Sequence, residues 1–410
     1  MVHSMNVDVC MSTGWGGIRM RLKLLGGIVR PLNRVIRKRK EYCVRRGWGG
    51  DVFIKCNYGV MPKFVMGQIR INLEEVPESM KNFVKGISAN AEDLAHLLPL
   101  PCLHPNCSEK PVGCHSQQCN GALSVIANDE GKVIVPSKDA KGSISRTLNG
   151  EKLPRGFYPL HINKATRFNG FCDKHDDALF AVIEKRPLVI DDEEQVLAFH
   201  RRAVALEIRS SLELFGYFKI ERELLVQKHL VSRSLEDEIA TAKARIATTM
   251  RYGWNPLWCE KPKDQFHHAW RVLPKKLPIS LAAIIVPDFD NNLHAIYERI
   301  LDPLGVELMP QFEFTLTIVP QEDKTHIVMV WNKIVDPVIQ QYRDRLMSSD
   351  FSEVEKFLNE CVFCLSEEWC MNPDAWNKIP QNEKDELRQQ LSMEDMRERT
   401  KKIPHIITIW

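Results

Sequence analysis

The segment from residue 312 to residue 331, FEFTLTIVPQEDKTHIVMVW, decides the fold class. Apolar and polar side chains alternate over residues 312–319, which is the period of a half-buried β-strand. A second run of strand-forming residues covers 326–331, and the polar residues 320–324 between the two runs have the length of a hairpin turn. The segment therefore predicts two adjacent antiparallel strands.

The sequence around this hairpin combines strand and helix patterns. Residues 280–286 form an apolar run that predicts another strand. Apolar residues recur every three or four positions over 193–250, which predicts a long helical hairpin with its break at residues 215–217. The pattern is again mostly helical from 337 to about 396. Together these patterns predict an α+β fold with a small, mostly antiparallel sheet and a helical tail.

A length of 410 residues suits two to four domains. The composition, 44% hydrophobic and 27% charged, excludes a wholly disordered chain, a collagen-like repeat and a small disulfide scaffold. We predict four segments, namely a basic, Gly-rich N-terminal arm at 1–66, a cysteine-rich module at 67–190, a helical hairpin at 191–255 and an α+β domain at 256–410.

The net charge of +3 conceals an uneven distribution along the chain. Residues 1–70 contain 14 Lys and Arg against 3 Asp and Glu, whereas residues 71–410 contain 42 against 50. Clustered Lys and Arg side chains neutralise phosphates, so the arm predicts DNA or RNA as a partner. A second interpretation is open: the arm is disordered, or the native chain starts at Met61 or Met66. If the chain starts at one of these methionines, the protein is acidic overall, and the electrostatic argument for nucleic acid largely disappears.

The longest apolar stretches, residues 22–29 and 280–286, are far shorter than the ~20 residues of a membrane-spanning helix. The first stretch is followed by a dense basic run, unlike the cleavage region of a signal peptide. We therefore predict a cytoplasmic protein with no membrane association. Its 12 cysteines should be reduced, so a clustered subset suggests a metal site rather than disulfides.

Five of the 12 cysteines lie between residues 102 and 172. Four residues separate the first two of them, and a Cys-x2-His pair follows at the predicted start of a helix. Zinc is usually held by four such ligands in two close pairs, and a knuckle pair combined with a helix N-terminal pair is the treble-clef arrangement. The spacing therefore predicts a structural zinc site whose ligands are Cys102, Cys107, Cys172 and His175. Cys114 is an alternative ligand, and ordinary buried thiols are the competing interpretation.

Three sequence features together resemble the zinc module of HNH endonucleases, a module that bacterial proteins of unassigned function also contain. They are the knuckle at 102–107, the His-Ser-Gln-Gln stretch at 115–118, and the Gly-Phe-Cys-x2-His-Asp segment at 170–176. In HNH endonucleases a histidine on the first strand activates water as the general base. A residue on the helix holds a divalent cation that stabilises the leaving oxygen.

The resemblance implies roles for four residues and a nuclease that acts on DNA or RNA. His115 would be the general base, and Asp176 would hold Mg²⁺ or another divalent cation. Asn163 or Asn169 would orient the base. The alternative function is a non-catalytic, zinc-stabilised binding or regulatory protein. In that case His115 is a zinc ligand or a loop histidine, Asp176 is a favourable first-turn residue of a helix, and the asparagines are turn residues. The sequence does not determine the substrate or the oligomeric state.

Overall fold

The structure is a computed structural model, and the residues it describes belong to one compact unit. They are residues 100–137, 147–148, 151–152, 156–226, 233–287 and 313–391. The predicted basic arm, with Met61 and Met66, lies outside the described residues. The predicted domain boundaries at residues 190 and 255 stay predictions.

The described residues contain strands in three sheets, all of them antiparallel. In chain order the strands are β1 (Cys114–His115), β2 (Lys132–Ser137), β3 (Thr147–Leu148), β4 (Glu151–Lys152), β5 (Gly156–His161), β6 (Arg167–Phe168), β7 (Phe266–Leu273), β8 (Ile279–Ile285), β9 (Phe314–Pro320), β10 (Thr325–Asn332) and β11 (Trp369–Met371). Seven of them form the main sheet in the order β5-β2-β11-β8-β9-β10-β7, while β1 pairs with β6 and β3 with β4.

The predicted hairpin is β9 and β10, in which Phe314 lies opposite Trp331 and Pro320 lies opposite Thr325. The α+β class is confirmed. The main sheet also includes β2 and β5, which belong to the segment that the sequence predicts as a cysteine-rich module. Strand β11 joins them to the rest, since it pairs with β2 on one side and β8 on the other.

Eight α-helices accompany the strands in the described part of the chain. They are α1 (Ser124–Ile126), α2 (Asp173–Glu184), α3 (Glu193–Val226), α4 (Arg233–Thr249), α5 (Asp336–Leu346), α6 (Phe351–Asn359), α7 (Pro373–Lys378) and α8 (Gln381–Leu391). Contacts between Arg222 and Glu236 and between Glu207 and Arg245 show that α3 and α4 run antiparallel, as predicted. The predicted break at residues 215–217 is wrong, because α3 continues to residue 226.

Burial of its neighbours explains why α3 continues through Gly216. A glycine inside a helix costs about 1 kcal/mol relative to alanine. Phe215 and Phe218 on either side are only 5% and 8% exposed. Burying a large apolar side chain contributes about 1.5–3 kcal/mol, so packing of these rings outweighs the local preference of glycine.

Helices cover both faces of the main sheet. On one face, the imidazole of His200 in α3 lies 2.9 Å from the hydroxyl of Thr315 in β9. On the other face, the ring of Phe314 packs 5.8 Å from Tyr342 in α5 and 6.3 Å from Phe357 in α6. Adjacent residues of a strand point to opposite faces of the sheet. Because helices cover both faces, every residue of β9 is buried. Among the described residues no helix is long and apolar enough to span a membrane.

Candidate metal centre

Two pairs of side chains that are far apart in the sequence meet at the beginning of α2. The ligand atoms of Cys102, Cys107, Cys172 and His175 all lie within 4.8 Å of one another. These are the four residues that the spacing predicts as ligands. The group could hold a metal ion, and its three sulfurs and one imidazole nitrogen are consistent with zinc.

Three of the six distances between ligand atoms are close to the edges of a metal-centred tetrahedron, and the other three are at most 4.8 Å. Tetrahedral zinc with ordinary bond lengths places two sulfurs about 3.8 Å apart, and a sulfur about 3.5 Å from a nitrogen. The Sγ atoms of Cys107 and Cys172 are 3.9 Å apart. His175 Nδ1 is 3.6 Å from the Sγ of Cys102 and 3.2 Å from the Sγ of Cys172. A divalent cation therefore fits among the four atoms with little rearrangement.

The first ligand pair lies on a tight turn. The amide of Cys107 donates to the carbonyl of His104 over 3.1 Å, and the amide of His104 points at the Sγ of Cys102 over 3.4 Å. Asn106 has a φ of 62°, a left-handed conformation that asparagine tolerates better than most residues. The turn is tied to the second ligand pair because the amide of Leu103 donates to the carbonyl of Gly170.

The second ligand pair lies at the beginning of α2. Cys172 is the N-cap residue, and its carbonyl accepts from the amides of His175 and Asp176 over 3.0 and 2.9 Å. The first helical turn thus places residues 172 and 175 on the same side of the helix. The positive end of the helix dipole also favours a thiolate at this position.

Burial has opposite effects on the acid–base chemistry of the two ligand types. Loss of hydration raises the pKa of the Cys102 thiol to about 12, so this thiol needs a cation to become a thiolate. Loss of hydration lowers the pKa of His175, which favours the neutral imidazole that a metal binds. Without metal the Cys102 thiol therefore keeps its proton, and metal binding would release it.

Aromatic rings and a buried arginine surround the cluster. The ring of His104 stacks on His175 with centroids 3.7 Å apart, and the edge of Trp258 contacts His104 at 4.8 Å. Arg209 is only 2% exposed and donates to the carbonyl of Pro101 over 2.8 Å. Its guanidinium interacts electrostatically with Cys102, so it is a buried positive charge next to the cluster.

Cys114, the alternative ligand, lies outside the four-residue group. Its thiol faces the carbonyls of Val112 and Phe171 at 3.5 and 3.6 Å. Loss of hydration and the nearby carboxyl of Asp176 raise its pKa to about 12. Cys114 is therefore a buried, protonated thiol that lies close to the four-residue group without belonging to it.

His115 lies on β1 in a half-buried position. Its Nδ1 is 2.9 Å from the carbonyl oxygen of Ala165 and 3.4 Å from the hydroxyl of Thr166. A carbonyl oxygen only accepts, so Nδ1 carries the proton, and the neutral ring keeps its lone pair on Nε2. Loss of hydration lowers the pKa of His115, which favours the neutral form. The ring has the protonation state that a general base requires.

The structure does not bring Asn163 or Asn169 into contact with His115, whose partners are backbone and Thr166. Both asparagines are exposed, and the Oδ1 of Asn163 accepts from the thiol of Cys119 over 3.5 Å. The carbonyl of Ala165 orients the imidazole instead. The sequence gives no signal for this contact, because any residue type supplies a carbonyl.

Asp176 lies on α2, where its carboxyl interacts with the thiol of Cys114 and with the positive charge of Arg202. Its Oδ1 is buried without a hydrogen-bond partner, and loss of hydration raises its pKa. Within the described ranges no second group of three or more metal-ligating side chains is found. The predicted Mg²⁺ or other divalent cation at Asp176 stays a prediction.

Two buried arginines of α3, Arg202 and Arg209, are functional candidates that the sequence reasoning missed. They are seven positions apart, and both fall on the buried helical stripe that includes Phe199 and Leu206. Arginines on a helical stripe that is otherwise apolar were the sequence signal that could have identified them.

No known protein family, curated protein or solved structure matches this chain.

Proposed function

We propose that Cys102, Cys107, Cys172 and His175 bind one Zn²⁺ and that the metal has a structural role. The convergence of four ligand atoms at tetrahedral spacing carries this proposal. Zinc in such a closed site contributes directly to folding. It would join the turn at residues 102–107 to the start of α2, two segments separated by more than 60 residues. The resulting function is that of a zinc-stabilised binding or regulatory protein.

The charges around the cluster support this proposal. Three thiolates and one Zn²⁺ carry a net charge of −1, which is unfavourable in a buried position unless a cation is nearby. Arg209 supplies that cation, and it interacts with the thiols of both Cys102 and Cys114. The same guanidinium also interacts with the carboxyl of Glu213, one turn further along α3, so its charge serves both that carboxyl and the cluster.

Metal analysis combined with one substitution tests the zinc proposal. The purified full-length protein should contain about one zinc per chain. Cys172→Ser should lose the metal and unfold at a lower temperature, because metal-binding free energy is coupled to folding. Inductively coupled plasma mass spectrometry and thermal denaturation measure the two effects.

Cys119→Ser is the matched control, since Cys119 lies outside the cluster and its thiol donates to Asn163. It should keep the zinc and the unfolding temperature. Protein that is free of zinc as purified, or equal unfolding temperatures for the two variants and the wild type, would contradict the proposal.

A second candidate function, an HNH-like nuclease, is favoured by the geometry of His115. A knuckle, the strand pair β1–β6 and helix α2 follow one another in the treble-clef order, with residues 116–166 inserted between the strands. His115 lies on the first strand with Nδ1 anchored and Nε2 able to accept a proton. In this candidate function His115 is the general base, and DNA or RNA is the substrate.

Cleavage of supercoiled plasmid DNA and of single-stranded RNA, with Mg²⁺ or Mn²⁺, tests this candidate. We expect His115→Ala to lower the cleavage rate by about 10²-fold or more, the usual contribution of a general base. His268→Ala is the control, because His268 is on edge strand β7 and faces Asp191. Absence of cleavage by the wild type, or equal rates for wild type and His115→Ala, would leave only the binding role.

A further inference from the structure

The strand pair β1–β6 has one buried face and one open face. Cys114 of β1 lies opposite Phe168 of β6, and both side chains are buried. His115 lies opposite Arg167, which is exposed. Side chains of directly opposite residues project from the same face, with Cβ atoms about 4.5–5.5 Å apart. The open face therefore carries a guanidinium on the same side as the imidazole of His115.

The guanidinium of Arg167 lies against the backbone of Gly113, two residues before His115. A methyl group on Gly113 would overlap three atoms of this guanidinium, so the arrangement depends on the absence of a side chain at residue 113. Among the described residues, no hydrogen bond or ion pair engages the guanidinium of Arg167. Its N–H donors, in the planar arrangement that suits phosphate and carboxylate, are therefore available to a ligand.

The backbone between His115 and Arg167 is strained at Thr166. Thr166 has a φ of 58°, a left-handed conformation that β-branched residues rarely adopt. Its carbonyl accepts from the amide of Ser116 over 2.9 Å, and its hydroxyl lies 3.4 Å from Nδ1 of His115. Thr166 thus joins Ala165, which anchors the imidazole, to Arg167. Backbone strain of this kind is concentrated at binding and catalytic sites.

The charges around His115 favour a negatively charged ligand. His115 interacts electrostatically with two arginines, Arg167 and Arg202, and with one carboxylate, Glu184. Arg202 and Glu184 form an ion pair with each other. The charge of Arg167 is therefore the one that remains uncompensated among these groups, and it lies on the open face.

We propose that Arg167 binds a phosphodiester group of a nucleic acid on the open face of β1–β6, next to His115. This inference deepens the candidate nuclease function, on which it rests for the identity of the ligand. The guanidinium donates a pair of hydrogen bonds to the two non-bridging oxygens. A phosphodiester carries one negative charge, which matches one uncompensated guanidinium. An open face, unlike a closed cavity, leaves room for the polymer on both sides of that group.

Fluorescence anisotropy of the full-length protein tests this proposal with a short DNA duplex and a single-stranded RNA as probes. The buffer contains no Mg²⁺ or Mn²⁺, so that binding is measured without cleavage. Arg167→Met should weaken binding of the preferred nucleic acid about tenfold, because it removes a pair of charged hydrogen bonds. The slope of the logarithm of affinity against the logarithm of salt concentration should also become shallower. The loss of one phosphate contact predicts a change of about 0.7 for the RNA or about 0.9 for the duplex.

Three further variants separate position from charge. Gly113→Ala changes no charge, but its methyl group displaces the guanidinium of Arg167, so it should weaken binding. Arg167→Lys keeps the charge but not the planar pair of donors, and its affinity should fall between those of the wild type and Arg167→Met. Arg388→Met is the matched control, because it removes the same charge from an exposed arginine of α8 that pairs with Asp385. It should bind like the wild type, and the zinc content should be the same in every variant.

Three outcomes would overturn the proposal. They are the absence of binding of either nucleic acid to the wild type, an unchanged affinity and salt slope in Arg167→Met, and equal losses in Arg167→Met and Arg388→Met. Failure of the candidate nuclease function is seen separately, in the cleavage of plasmid DNA and RNA. A protein that binds through Arg167 but cleaves neither substrate would retain the phosphodiester site without the nuclease activity.

Discussion

At the scale of single residues, the metal centre depends on side chains that hold the ligands in place. His104 is the clearest case, since its ring is parallel to that of His175 within 2°. Its own Nδ1 lies 2.9 Å from the carbonyl of Pro105, which fixes the plane of the ring. His104 therefore restrains the orientation of the only nitrogen ligand in the cluster.

Removing this ring should weaken the metal site without removing a ligand. We expect His104→Ala to lower zinc affinity about tenfold, at the lower end of the effect of losing an outer contact to a metal ligand. Competition with a chromophoric chelator measures the affinity. His161→Ala, an exposed histidine outside the cluster, should have the wild-type value. Equal affinities for His104→Ala and the wild type would show that stacking does not position His175.

At the scale of elements, the contact between the helical hairpin and β9 contains an unusual set of charges. Glu313 immediately precedes β9 and interacts electrostatically with Glu207 of α3 and Arg245 of α4. Arg245 donates to Glu207 over 2.6 Å. The positive charge of Arg245 therefore compensates Glu207 and stabilises an ionised Glu313 less than Glu207 destabilises it. Loss of hydration, and secondarily the charge of Glu207, raise the pKa of Glu313 from 4.5 to about 8.

This raised pKa predicts that stability falls as the pH rises from about 4.5 to about 8. The folded chain keeps the proton on Glu313 up to a pH of about 8, whereas the unfolded chain releases it near 4.5. Stability should therefore fall as the pH rises between these two values. Glu313→Gln should remove this contribution, so its unfolding temperature should fall less than that of the wild type over the same range. Thermal denaturation across that range is the measurement, and parallel curves for the two proteins would contradict the assignment.

At the scale of the whole molecule, the main sheet is assembled from three distant parts of the chain. Strands β2 and β5 precede the long helix α3, while β7, β8, β9 and β10 follow it. Strand β11 connects the two groups, and its Trp369 packs against Phe157 of β5 at 5.6 Å. The same indole contacts Phe363 at 5.4 Å and Trp376 at 6.1 Å. This aromatic cluster packs strands β2 and β5 against the rest of the sheet.

Truncating the central ring should loosen that connection. Trp369 is 2% exposed, so Trp369→Ala should destabilise the protein by about 3–5 kcal/mol in urea denaturation. Hydrogen exchange should accelerate more in β2 and β5 than in β9 and β10. Val189→Ala is the control, because Val189 is 56% exposed and should change the stability by less than about 0.5 kcal/mol. Uniform acceleration over all seven strands would contradict this view of β11.

The sequence by itself determined the features that depend on short-range patterns. Alternation over residues 312–319 and the polar turn after it led to the hairpin β9–β10. The spacing within 102–107 and 172–175 identified the four side chains that meet in the metal cluster, because two close pairs of soft ligands are rare outside metal sites. A helical period over 193–250 led to α3 and α4, although the break was misplaced at Gly216.

Only the tertiary structure decided the features that depend on contacts between distant segments. The pairing of β11 with β2 and β8 has no local signal, since register follows from which apolar faces meet. The anchoring of His115 by the carbonyl of Ala165 was equally invisible, because every residue carries that group. The ion pair between the buried Arg202 of α3 and Glu184 of α2 likewise depends on how the two helices pack. Spacing along the chain identifies ligands, whereas burial and pairing, which arise only on folding, determine what surrounds them.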